Sequence, residues 1–134
     1  MATIIKEILI DARPDDVWDA VRDFGQVHKR LVPGFVTECH LDGDARVVTF
    51  FNGLKAREPL VGKARRLAYA AVGGRATHYN ASVQVFTKGK NRTRFVWTID
   101  LLPNELAAPI GAMAEQGASI IKRTLESAVA NTAG

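Results

Sequence analysis

The chain has 134 residues, 47% of them hydrophobic, a single cysteine and a net charge of +4. That is enough apolar material for one domain, spanning residues 1–134, with its own core, and it contains no run near the roughly 20 apolar residues a membrane-crossing helix needs. Cys39 alone excludes an internal disulfide and fits a reducing compartment, so a cytoplasmic protein is expected. Lys6 and Glu7 within the first apolar pattern argue against a secretory leader.

Taken in order, Ile4 to Ile10 reads as a first strand. Pro14 suits the first turn of a helix, and Asp15 and Asp16 put negative charge at its positive end. Val17, Trp18, Val21 and Phe24 then recur at helical spacing, and a pair of short helices is predicted from Pro14 to Val32. Strands follow at Phe35 to Leu41, Arg46 to Phe51, Arg57 to Val61 and Arg66 to Val72, separated by Asp42-Gly43-Asp44, Asn52-Gly53 and Gly62. His78 to Phe86 places Tyr79, Ala81, Val83 and Val85 on one face. Arg94 to Leu101 does the same with Phe95, Trp97, Ile99 and Leu101. After Pro103 the period changes to about 3.6, with Leu106, Ile110, Met113, Gly117, Ile120, Thr124, Leu125 and Ala128 in one stripe. Asn104 is the candidate N-cap, and Pro109 is expected to kink or restart the helix. One-sided alternation predicts an antiparallel sheet with one solvated face, covered on the other by the final helix.

Three pieces carry a family resemblance: Asp11-Ala12-x-Pro14-x-x-Val17-Trp18 with Asp23-Phe24, the Tyr79-x-Ala81-x-Val83 strand, and Val96-Trp97-Thr98 followed by Pro103. In this order they resemble the helix-grip superfamily, which includes birch-pollen-allergen-like proteins, START domains and the polyketide cyclase/dehydrase group. The resemblance covers nearly the whole chain. It implies an α+β helix-grip fold: a curved seven-stranded antiparallel sheet wraps a long C-terminal helix, and two short helices lie between strands 1 and 2. It also implies a cavity between sheet and helix that takes an apolar small molecule such as a lipid, polyketide or aromatic metabolite. Asn52-Gly53-Leu54-Lys55-Ala56 is similar to the Ser-Gly-Leu-Pro-Ala gate loop of plant abscisic-acid receptors. Val72-Gly73-Gly74 and Tyr79 fall where those receptors carry a Gly-Gly loop and a strand tyrosine. Their His-Arg-Leu latch is absent, replaced by Arg75-Ala76-Thr77, so the resemblance implies a mobile portal loop and not hormone binding.

Candidate contacts follow from the alternation. Tyr69 and Tyr79 bring an apolar body and one hydroxyl to the inner face, which suits an orienting contact in a greasy pocket. The other candidates are Phe50, Leu54, Ala81, Trp97, Met113 and Gly117. Gly117 leaves room either for a ligand or for close packing on the sheet. A bulge in the last strand would exchange Trp97 for Val96, Thr98 and Asp100 on the inner face. Leu54 suits a flap over a portal; a plain hairpin turn with one exposed leucine is the competing reading. For catalysis the candidates are Tyr69, Tyr79 and His28, with a surface or boundary histidine on the second short helix as the competing reading of His28. Glu58 reads as edge-strand charge, with a carboxylate near the gate as the alternative.

No His, Cys or carboxylate spacing matches a metal site, and no cofactor is expected. The basic residues fall in two turns, Lys63, Arg65 and Arg66, then Lys88, Lys90 and Arg92, which lie at the same end of the sheet, away from the gate, if the meander pairs in sequence. They suit either solvated turns or an anionic docking patch. No nucleic-acid motif accompanies them. Carriage of an apolar molecule is the leading reading. A cyclase/aromatase-type enzyme comes second and a protein-interaction or stress-response module third, as a monomer or homodimer.

Overall fold

A computed structural model describes residues 1–63, 65–71 and 75–133, with the side chains of 63 and 129–133 set aside. The strands are β1 (Ala2–Ile10), β2 (Val36–Asp42), β3 (Ala45–Phe50), β4 (Lys55–Lys63), β5 (Arg66–Ala70), β6 (His78–Thr87) and β7 (Thr93–Leu102). They form one antiparallel sheet in the order β1-β7-β6-β5-β4-β3-β2, so a meander from β2 to β7 ends beside β1. Helices α1 (Pro14–Arg22) and α2 (Val27–Arg30) lie between β1 and β2, and α3 (Ala107–Ala133) closes the chain. This is the expected helix-grip order. No helix among the described residues is long and apolar enough to cross a membrane.

Local chemistry explains the short helices. Arg13 is extended at the N-cap of α1, Pro14 occupies its first turn, and Asp15 and Asp16 face its positive end. Pro14, Val17, Ala20 and Val21 form its buried stripe, while Trp18 and Phe24 are half-buried at the core margin. Arg30 of α2 fastens the pair together by donating to the carboxylates of Asp19 (2.8 Å) and Asp23 (2.9 Å).

The long helix departs from expectation at its start. Asn104 makes no side-chain cap; Pro103 stands at the N-cap of a 3-10 turn, Asn104–Leu106, that runs into α3. Pro109 is the third residue of α3 and introduces no break. It falls in the first turn, where backbone N–H groups lack helical acceptors in any case. Of the expected stripe, Leu106, Gly117, Ile120 and Leu125 are buried, Ile110, Met113 and Thr124 are half-buried, and Ala128 is exposed; Ala114, Ala118 and Ile121 are buried as well. The helix is fastened to the β1 edge by Lys6–Glu115 (2.6 Å), by Lys122 Nζ to the Leu9 carbonyl (2.7 Å), and by the Asp11 N–H to Glu126 (2.8 Å).

The basic turns lie together, as expected, at the end opposite the β3–β4 turn. Arg65, at φ +57°, donates to Thr87 and Asp15, and Arg92 donates to Asp11. Two of the six cations are therefore held by acids of the segment after β1. The side chain of Lys63 and the Gly73-Gly74 loop lie outside the described residues.

Candidate functional site

The concave sheet face, the helix pair and α3 enclose a cavity of about 270 Å³. Alternation builds its sheet wall: Val48 and Phe50 from β3, Ala56 from β4, Leu67 and Tyr69 from β5, and Tyr79 and Val83 from β6. Trp97 and Ile99 of β7 also line it, while Asp100 turns to the other face and accepts a hydrogen bond from Thr3 (2.7 Å). The last strand therefore has no bulge that would bring Asp100 inward. From the helices come Val21, Val27 and Leu31, then Ile110, Met113 and Ile121.

The exposed members of the lining mark where the cavity reaches solvent. They are Leu54 and Lys55 at the β3–β4 turn, Arg75 in the β5–β6 connection, and Pro109 at the start of α3. The β3–β4 turn is tight: Phe50 N–H donates to the Leu54 carbonyl (2.8 Å), and Gly53 N–H to the Phe50 carbonyl (2.9 Å). The Asn52 side chain accepts from Leu54 N–H (3.2 Å), and Gly53 supplies the required φ of +85°. Leu54 is thus 55% exposed, on a plain hairpin turn that also forms part of the cavity rim.

Deep in this apolar space sits one polar cluster. Arg46 and Glu58 are direct partners across β3 and β4, and Arg46 Nε donates to Glu58 Oε1 at 2.8 Å with both residues buried. The guanidinium also lies over the Tyr69 ring, 5.4 Å from its centroid. Trp97 Nε1 donates to the Tyr69 hydroxyl at 3.0 Å, and the rings of Tyr69 and Tyr79 are 6.5 Å apart. Burial pushes the Glu58 carboxyl up, and the adjacent guanidinium offsets this only in part. Burial raises both tyrosines as well. Each is pushed further by the negative charge of Glu58, so both hydroxyls remain protonated donors at ordinary pH.

Glu58 is therefore not edge-strand charge. β4 lies between β3 and β5, and its carboxylate points into the cavity. Arg46 was absent from the sequence-based candidates. Its signal was phase: Arg46 alternates with Val48 and Phe50, and Glu58 with Ala56 and Leu60, placing opposite charges on two inner faces.

Of the predicted contacts, Phe50, Leu54, Tyr69, Tyr79, Trp97 and Met113 line the cavity. Ala81 and Gly117 do not. Ala81 is buried in a neighbouring cluster with Ile99 and Leu101. Gly117 is filled by the sheet: a Cβ there would stand 3.2 Å from the Trp97 ring. His28 also lies off the cavity. Val27 and Leu31, four residues apart on one face of the α2 turn, reach it, and His28 is about 100° round from Val27. Its Nδ1 is buried without a hydrogen-bond partner among the described residues. No group of three or more potential metal ligands occurs among the described residues.

Residues 1–133 match the model of the family described as polyketide cyclase / dehydrase and lipid transport, and the chain belongs to that family. Its fold is similar to the protein XoxI from Bacillus cereus (TM-score 0.82, 19% identity, 100% of this chain and 99% of that one). It is also similar to a START superfamily protein from Mycobacterium smegmatis (TM-score 0.75, 12% identity, 97% and 98%). A third similar structure is the Zhui aromatase/cyclase from a Streptomyces species (TM-score 0.72, 16% identity, 99% and 96%). No curated protein gives a significant match.

Proposed function

We propose that this protein binds and carries a small apolar molecule in the cavity between the sheet and α3. The observation that carries this reading is an apolar space of about 270 Å³ whose rim is drawn from two turns and a helix start. Such cavities, with few polar groups in a greasy wall, are the usual form of a small-molecule site. The family description supports the same class of role. Size narrows the cargo: at about 30 Å³ per water-sized group, the enclosed volume holds on the order of nine non-hydrogen atoms. A medium-length acyl chain or one to two aromatic rings fits; a longer molecule would extend through the mouth. Native mass spectrometry and thermal-shift measurements against such compounds test the reading. One-to-one adducts that raise the melting temperature support it, and no adduct and no shift across the set overturns it.

A second reading, a cyclase acting in the same cavity, is favoured by the buried cluster. Tyr69 and Tyr79 are positioned as hydrogen-bond donors for a carbonyl oxygen as it gains negative charge. A carboxylate raised toward neutrality, as Glu58 is, suits proton transfer better than an ordinary one. Enclosure alone favours an intramolecular ring closure by holding the reacting ends together. Turnover of a reactive polyketide that disappears in Glu58→Gln and in the Tyr69→Phe/Tyr79→Phe double variant supports this reading. Unchanged turnover in both removes it. The interaction-module reading has less support, since Arg65 and Arg92 are engaged within the chain.

A further inference from the structure

Charge is distributed unevenly between the floor and the mouth of the cavity. The buried floor is balanced, because the guanidinium of Arg46 meets the carboxylate of Glu58. The mouth is not balanced. Lys55 and Arg75 both line the cavity and are both exposed, and neither has an ion-pair partner among the described residues. The ten side-chain ion pairs among the described residues engage nine other cations, including Arg57, which is two residues from Lys55 and is held by Asp42. The nearest acid in the chain to this part of α3, Glu105, is exposed on the preceding turn and does not line the cavity.

We infer that the cargo is an amphiphile with one anionic end, its apolar body inside the cavity and its carboxylate or comparable anion at the mouth between Lys55 and Arg75. This rests on the binding reading above and adds the chemistry and direction of the ligand. An anion at the floor would lie beside Glu58 and lose its water, whereas at the mouth it stays hydrated and meets two cations. A cationic end is disfavoured at the mouth by the same charges. The floor cluster, overall neutral, suits an uncharged polar group such as a hydroxyl or carbonyl.

The test uses three probes of equal chain length: octanoate, octan-1-ol and octylammonium. Binding to the intact protein is followed by ligand-observed NMR at low salt and at 0.5 M salt. Octanoate is expected to bind roughly tenfold tighter than octanol at low salt, the scale of two exposed charge contacts. Octylammonium is expected to bind weakest. High salt and the Lys55→Gln/Arg75→Gln double variant should each bring octanoate down to the level of octanol and leave octanol unchanged. If octanol binds as tightly as octanoate, or octylammonium tighter, the anionic end is wrong while the cavity-binding reading stands. If none of the three binds, both fail together. Circular dichroism of the double variant, expected to be native because both residues are exposed, separates lost binding from lost fold.

Discussion

Arg46 and Glu58 are joined across β3 and β4 by a 2.8 Å hydrogen bond with both side chains buried, the one ion pair among the described residues that lies on the cavity floor. Removing one member leaves the other charged and unpaired in an apolar space. Arg46→Ala is expected to destabilise the protein by about 3–5 kcal/mol. Replacing both by residues of similar volume, Arg46→Met with Glu58→Leu, is expected to recover most of that loss. Urea denaturation of the single and double variants measures both. A double variant as unstable as Arg46→Ala would show that the pair itself, not the uncompensated charge, sets the stability.

The same carboxyl gives a pH signature. Its value in the folded protein is raised above the ordinary 4.5, so the folded state holds the proton more tightly than the unfolded state. Stability from this group is therefore present at low pH and is lost as pH rises from about 4.5 through the folded value. For Glu126, desolvation raises the carboxyl but is outweighed by the Asp11 N–H and Lys122 together, so it is lowered; it acts in the reverse sense and loses its contribution as pH falls below the ordinary range. Wild type should thus gain stability relative to Glu58→Gln as pH is lowered from 7 to 4. Paired denaturation curves across that range check it; a difference independent of pH contradicts it.

At Gly117 the helix backbone lies against Trp97. A methyl group there would stand 3.2 Å from Trp97 Cζ3 and 3.7 Å from Phe35 Cε2. Gly117→Ala is expected to shift the indole, disturb its bond to the Tyr69 hydroxyl and cost about 1–3 kcal/mol by overpacking, less the gain of up to about 1 kcal/mol from alanine in a helix. Gly111→Ala is the control, since its nearest neighbour, Ile4 Cδ1, is at 3.9 Å. It should be neutral or stabilising. Trp97 fluorescence in a Trp18→Phe background, with thermal melts, distinguishes the two sites.

Leu54 combines exposure with a place on the rim. Leu54→Ala is expected to change stability by no more than about 0.5 kcal/mol, as for other exposed positions. Ligand dissociation should nevertheless quicken, because the side chain covers part of the mouth. Stopped-flow displacement of a bound naphthalene-type fluorophore measures this. Unaltered dissociation would leave Leu54 a turn residue only.

Most of the fold is legible in the sequence because alternation is a direct record of a half-solvated strand. Tyr79 to Val85 and Phe95 to Leu101 face the core as their pattern requires. The site is legible only where apolar patterning reaches it, as at Tyr69, Trp97 and Met113. Glu58 was misjudged because a strand's sequence does not say whether it lies at the edge or the centre of a sheet; the strand order decides that. For His28 the sequence leaves both a cavity and a boundary position open because one turn of helix is too short to show a period, and the structure places it off the cavity, at the boundary.

The fastening of α3 has a mechanical consequence. Its ties to β1 run from Lys6–Glu115 at mid-length to Lys122–Leu9 and Glu126–Asp11 further along, and none of these lies at the end where the helix begins. The helix is therefore pinned like a lever at the shut end of the barrel-like sheet. Swinging it outward would break a buried seam, whereas flexing the Phe50–Leu54 turn disturbs three backbone bonds, one of them from Phe51 N–H to the Phe35 carbonyl, and the bond that Asn52 accepts. A ligand too large for the chamber is therefore expected to be accommodated at the turn rather than by displacement of α3, with the depth of the chamber unchanged.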